Sequence, residues 1–429
     1  MIKEDLANIL DNIIEQKKFS NIEMNYLFTL RNYSLKERAF IKNILNLTIK
    51  NLIYIDYIID SITKKISKRK TRQILRMSIC QMYFTEADIK GVIYEANEVA
   101  KKINVEQGKF VNAVLRKVVS KKELIDKKIE EDNLEYIKLS YPKWIYEKFL
   151  IDFENGYDML KSLKDRSYLS IRVNKKSISI ENFLKKVEKL DTNILFRVDD
   201  VFYFDNYNVL ESNEFNENDL IIQDASSYLV AKNMKLKNTD VVLDACSAPG
   251  GKSLAILNMY DIEKLIACDI YEHKIDKLNE LKEKYKLDNM LVLNKDATNP
   301  NNFMKEYFDS ILLDVPCSGF GVLKRKPEKI YNITNNNIKT LKKLQKNIFD
   351  ANILFLKKGG SLIYSTCTLT KNENTNNAKY FLEKYKDLKV EKLDIPENVK
   401  CVFDEFGGVY IDPSNGFLDG FYMIKFKKE

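Results

Sequence analysis

The stretch Val241-Val242-Leu243-Asp244-Ala245-Cys246-Ser247-Ala248-Pro249-Gly250-Gly251-Lys252 reads as a short buried strand that turns through paired glycines into a helix. Outward from it, strand and helix patterns alternate. Strands are predicted at 240–245, 264–268, 290–293, 309–313 and 361–365, with a last pair near 409–411 and 421–426. This alternation predicts a parallel sheet with helices on both faces. Ligands of such sheets lie outside the carboxyl ends of the strands, where strand order reverses. Glycine usage points to the same edge: the chain has only 13, and ten of them fall between Gly250 and Gly420. A chain this sparing with glycine uses it where the backbone tolerates no side chain.

Acidic residues recur at the ends of successive strands: Asp244, then Asp269, Asp296 and Asp314. Two ligands compete for the loop from Cys246 to Lys252. A nucleoside triphosphate needs a phosphate cradle, yet Cys246 stands where the first glycine of a Walker-type loop belongs, and Pro249 removes an amide donor. S-adenosyl-L-methionine has no phosphate, and its ribose hydroxyls and adenine amine can donate to carboxylates. The strand-end carboxylates favour the second ligand. A tight strand-to-helix turn without any ligand is the remaining alternative.

Two cysteines reach the same edge. D-V-P-C-S-G-F-G (314–321) follows the fourth strand and Y-S-T-C-T (364–368) the fifth. A single strand-end cysteine is ordinarily a small buried hydrophobe; two beside an acidic pocket suit covalent chemistry. A thiolate added to carbon 6 of cytosine makes carbon 5 enamine-like and able to accept a methyl group. Ring nitrogen N3 must gain a proton or a strong hydrogen bond meanwhile, and Asp314 is placed to give it. Free thiols are little ionised at neutral pH, so a lysine or helix N-terminus is expected nearby. The residues alone do not rank Cys317 against Cys367. The chain has one histidine, His273, and no C-x-x-C pair, which excludes histidine-rich zinc sites and a disulfide framework. No metal is expected.

A length of 429 residues predicts about three domains. Residues 1–140 read as a helical bundle, with apolar positions at Phe40, Ile41, Ile44, Leu45, Leu47 and again at Ile74, Leu75, Met77 and Met82. A charged connector is expected at 121–135. Residues 141–225 read as a small α+β segment with a helix near 143–152, strands at 168–173 and 200–204, and an acidic loop at 211–219. Residues 226–429 form the alternating α/β part. Asn-rich stretches at 331–337 and 372–377 read as surface loops. Residues 1–140 hold 26 Lys+Arg against 19 Asp+Glu, and Lys64 to Arg76 holds seven basic residues and no acid. Such an excess points to a polyanion, the alternative being a solvated lysine-rich face. No stretch reaches the ~18 apolar residues of a membrane span. Glu4 and Asp5 stand where a signal peptide would be basic. A cytoplasmic protein with no membrane partner is expected.

With these motifs the chain resembles the bacterial 16S rRNA cytosine-C5 methyltransferases of the RsmB (Sun/Fmu) family over essentially its whole length. The matches are D-A-C-S-A-P-G-G-K (244–252), D-V-P-C-S-G (314–319) and Y-S-T-C (364–367), supported by R-V-N (172–174), Q-D-A-S-S (223–227) and D-G-F-Y (419–422). F-V-N-A-V-L-R (110–116) marks residues 1–140 as similar to the NusB-like RNA-binding bundle. The resemblance implies a multidomain protein: an all-α NusB-like bundle, a small α+β linker domain and a Rossmann-like S-adenosylmethionine-dependent catalytic domain. It implies that Cys246, Ser247, Ala248, Pro249, Gly250, Gly251, Lys252, Asp269, Asp296 and Asp314 bind the cofactor. It also implies that Cys367 is the nucleophile, that Cys317 assists product release, and that the partner is 16S rRNA, with the protein a monomer. The alternatives are a tRNA cytosine-C5 methyltransferase and a non-catalytic NusB-like RNA-binding factor.

Other residues carry weaker expectations. Lys324-Arg325-Lys326 is expected to follow substrate phosphates. His273 is expected at the surface, Cys80, Cys268 and Cys401 in the core, and Trp144 in packing. Asn112 and Arg116 form either an internal polar pair or a contact to the catalytic part.

Overall fold

The structure, a computed structural model, describes residues 2–66, 68–300 and 304–429. The chain folds into two compact units, one of residues 1–164 with 325–332, the other of residues 165–324 with 333–429.

The first unit is helical. Its helices are α1 (Ile2–Ile14), α2 (Ser20–Leu30), α3 (Leu35–Lys50), α4 (Leu52–Ile62), α5 (Arg69–Phe84), α6 (Ile89–Lys101) and α7 (Val105–Glu131), followed by three shorter ones up to Ser162. The spacing read from sequence is the spacing buried: Ile41, Ile44 and Leu45 on α3 meet Ile74, Leu75, Met77 and Met82 on α5. Ser34 and Glu37 close a reciprocal cap at the start of α3. The expected connector at 121–135 is instead helix as far as Glu131, because Ile125 and Ile129 are buried on its inner face. Its charges pair one turn apart, as in Lys127–Glu131. Phe19 offers α2 no side-chain cap; Glu328 does so from afar, its Oε1 accepting from Ser20 N (3.3 Å) and Ser20 Oγ (2.9 Å). Tyr331 Oη donates to Ile49 O at 2.7 Å.

The basic stretch is partly neutralised. Arg69 pairs with Asp11, Lys70 with Glu4, Arg72 with Asp56 and Asp60, and the buried Arg76 with Asp56 and Glu15. Lys64, Lys65 and Lys68 remain exposed.

The second unit carries two sheets. A four-stranded antiparallel sheet has the order β2-β3-β1-β4, from β1 (Leu169–Val173), β2 (Ile194–Val198), β3 (Val201–Phe204) and β4 (Leu220–Ile222). Phe183, Phe202 and Phe204 fill its core. The larger sheet contains β5 (Val241–Asp244), β6 (Lys264–Asp269), β7 (Met290–Asn294), β8 (Phe308–Asp314), β9 (Leu356–Thr366), β10 (Leu388–Glu391), β11 (Cys401–Phe403), β12 (Val409–Ile411) and β13 (Phe421–Lys428). Its order is β11-β12-β13-β9-β8-β5-β6-β7, with β10 also on β13. Strands β5 to β9 pair in parallel and β13 runs antiparallel to β9. Strand order reverses between β5 and β8, which puts a crevice at the ends occupied by Asp244 and Asp314. No described helix is long and apolar enough to cross a membrane.

Candidate active site

The loop after β5 is pinned on both sides. Ala245 N donates to Leu312 O on β8 (3.1 Å), Ser247 N to Cys268 O on β6 (2.8 Å), and Gly250 N to Ser247 O (2.8 Å). Gly250 holds φ +99° at the start of the helix Gly251–Met259, and a Cβ there would meet Leu278 Cδ2 at 2.9 Å. Only glycine suits that turn. Gly251 O accepts from Gln223 Nε2 (2.9 Å), whose Oε1 accepts from Arg172 Nε (2.5 Å). The R-V-N and Q-D-A-S-S matches are thus a buried brace behind the loop. Burial lowers the Arg172 guanidinium to about 10.

Asp244 lies beneath the loop. Its Oδ2 accepts from Ser253 Oγ (2.7 Å), which is 2.7 Å from Ser247 Oγ. Burial raises its carboxyl to about 6, against the Ser253 hydrogen bond. Its Oδ1 is buried without a partner, an acceptor awaiting a donor. Asp269 ends β6 and accepts from Tyr271 N (3.2 Å) and Lys274 Nζ (3.2 and 3.3 Å). Asp296 follows β7, and its Oδ1 accepts from Thr298 N (2.8 Å) and Oγ1 (2.7 Å). Asp314 ends β8, taking Lys252 Nζ on Oδ2 (2.6 Å) and Ser365 Oγ on Oδ1 (3.0 Å). Burial opposes the charge on Lys252, but Asp314, with Cys367 and Asp244 behind it, holds the ammonium above the ordinary lysine range.

Cys317 Sγ and Cys367 Sγ lie 3.2 Å apart. Both are part-buried and neither is in a disulfide, the separation being well beyond the ~2.05 Å of an S–S bond. Two other cysteines near the loop are disposed differently. Burial, then Asp244, Asp314 and Asp269, push the Cys246 thiol well up, and burial raises Cys268 to about 12. Both stay protonated and unreactive. The paired loops are stitched together: Val315 N donates to Ser365 O (3.1 Å) and Gly321 N to Cys367 O (3.0 Å).

Several expectations change here. Lys324 does not follow phosphates: it is buried, donating to Pro413 O (3.3 Å), Gly416 O (2.8 Å) and Leu418 O (3.3 Å), because a buried ammonium needs acceptors and these backbone carbonyls supply them. Arg325 and Lys326 are exposed. The stretch 372–377 is no surface loop: Glu373, Asn374 and Asn377 are fully buried. The stretch 331–337 leads into the helix Asn335–Asn352, with Thr334 and Asn337 capping each other. His273 is exposed, Cys80 and Cys268 are core, and Cys401 is half-buried. Trp144 is half-buried. Arg116 Nε donates to Asn112 Oδ1 (3.3 Å) within α7.

A Rossmann-like sheet, a glycine turn after its first strand and acceptors at the next strand ends suit a donor-rich nucleoside without phosphate. They define the class of S-adenosylmethionine-dependent methyltransferases. Residues 231–427 match the family described as 16S rRNA methyltransferase RsmB/F, and residues 3–120 match the NusB family. A probable ribosomal RNA small subunit methyltransferase B of Bacillus subtilis is 28% identical over 444 aligned positions, which cover 100% of this chain and 99% of that one. The crystal structure of PH0851 superposes with TM-score 0.80 at 22% identity over 99% of both chains. NSun6 from Pyrococcus horikoshii, crystallised with SFG, gives TM-score 0.60 at 21% identity over 67% of this chain and 98% of that one. The chain matches the 16S rRNA methyltransferase RsmB/F family over residues 231–427 and the NusB family ahead of them. It is an S-adenosylmethionine-dependent rRNA methyltransferase.

Proposed function

We propose that the chain methylates carbon 5 of a cytosine in 16S rRNA through a covalent bond between Cys367 Sγ and carbon 6. The observation that carries this is the pair of sulfurs 3.2 Å apart beside the Asp314–Lys252 ion pair. S-adenosylmethionine, when bound, supplies an electrophilic methyl group. Cys246 to Lys252, with Asp269, Asp296 and Asp314, hold it. Lys252 favours the thiolate form of Cys367 by its charge. Asp314 faces ring nitrogen N3 and acts in its protonated form, giving N3 the proton that neutralises the negative charge building there during attack; the carboxylate left behind is held by the Lys252 ammonium. Cys317 serves the step in which carbon 5 loses its proton and the Cys367 bond breaks. The distance between the sulfurs does not rank them; their order follows the family resemblance. Both faces of the base are engaged, so the cytosine must leave any stack, which favours loop or single-stranded targets.

The test is methyl transfer to unmodified 16S rRNA, read by bisulfite sequencing. A single new 5-methylcytosine in 16S rRNA is expected. Product confined to tRNA would favour that substrate instead, and no product with bound RNA would favour a non-catalytic factor.

Asp269→Ala is expected to weaken S-adenosylmethionine binding by roughly 10- to 100-fold, the loss of a charged hydrogen-bond acceptor, with RNA affinity unchanged. Calorimetry with the cofactor and a filter-binding assay with rRNA check this; equal loss of both would mean misfolding. We also propose that residues 1–140 grip RNA, with residues 141–225 and 226–429 forming the linker and catalytic parts of a monomer that works in the cytoplasm. Reversing Lys64, Lys65 and Lys68 to glutamate should then lower rRNA affinity and reduce the slope of log K against log[salt] by about 2 to 3. An unchanged slope would remove this stretch from the interface.

A further inference from the structure

The two sulfurs are held by different means. Cys367 directly follows β9, whose last residue, Thr366, pairs with Tyr422 in the ladder to β13. Cys317 lies three residues beyond the end of β8 and has no ladder. Instead the peptides on its two sides are clamped. Pro316 O accepts from Gln345 Nε2 (2.9 Å), and Ser318 N donates to Glu373 Oε1 (2.9 Å). Gln345 Nε2 and Glu373 Oε1 are themselves joined at 3.0 Å, and both side chains are fully buried.

Glu373 gathers two further donors on Oε2, Ser318 Oγ (2.5 Å) and Thr370 Oγ1 (2.7 Å). Four donors on one carboxyl group fit an ionised acceptor that offers nothing but lone pairs. That charge also sets the direction of a chain. Ser318 Oγ gives its proton to Glu373, so Thr368 Oγ1, 2.7 Å away, must donate to Ser318. Thr368 is the neighbour of Cys367, and its Oγ1 accepts from Phe320 N (3.3 Å). The carboxylate therefore ties the loop of one cysteine to the loop of the other.

We propose that Glu373, with Gln345, is a positioning residue that keeps the Cys317 sulfur in register with Cys367. Its charge is needed for breakdown of the covalent adduct rather than for its formation. This rests on the covalent reading above. Glu373→Gln keeps the shape but turns an acceptor into a donor facing donors. The variant forms the adduct, because the ladder still holds Cys367, and fails to resolve it.

The experiment compares wild type, Glu373→Gln, Thr370→Val and Cys317→Ala on rRNA, reading turnover, KM and the protein–RNA adduct on a denaturing gel. Thermal melting and cofactor affinity serve as fold controls. Glu373→Gln is expected to lose at least about tenfold in turnover, to keep KM within about twofold, and to accumulate adduct as Cys317→Ala does. Thr370→Val, which removes one donor of the four, shows the same signature at a few-fold. Unchanged turnover in a folded Glu373→Gln, or lost turnover without adduct while Cys317→Ala shows one, overturns the proposal. Should Glu373→Gln not fold, Thr370→Val decides by the same criteria. No adduct with Cys317→Ala would instead sink the covalent reading, and this step with it.

Discussion

Replacing Cys367 with alanine is expected to abolish methyl transfer, a loss on the order of 10⁴-fold or more, as when the nucleophile of a covalent enzyme is removed. No protein–RNA adduct should survive a denaturing gel, while cofactor binding stays intact. Cys317→Ala should also lose turnover, but with an adduct that persists. The contrast is informative because the sulfurs sit 3.2 Å apart, and loss of the fold in either variant would remove turnover without leaving an adduct. If the adduct appears with Cys367→Ala and not with Cys317→Ala, the roles are exchanged.

The second large effect concerns Gly321. A Cβ there would lie 1.8 Å from Gly420 O and 2.5 Å from Gly420 C. Both are backbone atoms, held because Gly420 N donates to Gly321 O at 2.9 Å. No rotamer change relieves such a clash. Gly321→Ala is expected to destabilise the second unit by about 3 kcal/mol or more, which lowers its melting temperature by roughly 6 to 12 °C. The Gly321 N to Cys367 O bond (3.0 Å) must also break, so activity should fall further than stability at a temperature where the variant stays folded. Calorimetry with a methyl-transfer assay checks both; a melting temperature within 2 °C of wild type would show that the two loops can separate freely.

The central strands were legible because their middles are buried on both faces and therefore read as short apolar runs, as in Val241 to Leu243 and Ile311 to Leu313. Edge and short strands were not. β2 is exposed along most of its length and β11 spans three residues, so neither carries a period. β9 begins five residues before its predicted start, since Lys357 to Gly360 form an irregular passage between the pairs Phe308–Leu356 and Ser310–Ser361. The site residues that bear thiols and strand-end carboxylates announced themselves by chemistry and position. Glu373 and Gln345 did not: one sits in an Asn-rich stretch that looks solvated, the other in a lysine-rich helix. Polar residues buried for their hydrogen bonds have no signature in composition. Arg172 and Gln223 were visible only as motif fragments, and their brace on Gly251 emerges in three dimensions.

Glu328, which caps the start of α2, lies 308 positions away from Ser20. A ribosome adding about 5 to 20 residues per second needs roughly 15 to 60 s to cover that distance. Until then the amide of Ser20 has no such acceptor, and the helical unit must wait, one turn unfinished, for a peptide that emerges only after the Cys317 loop has been made.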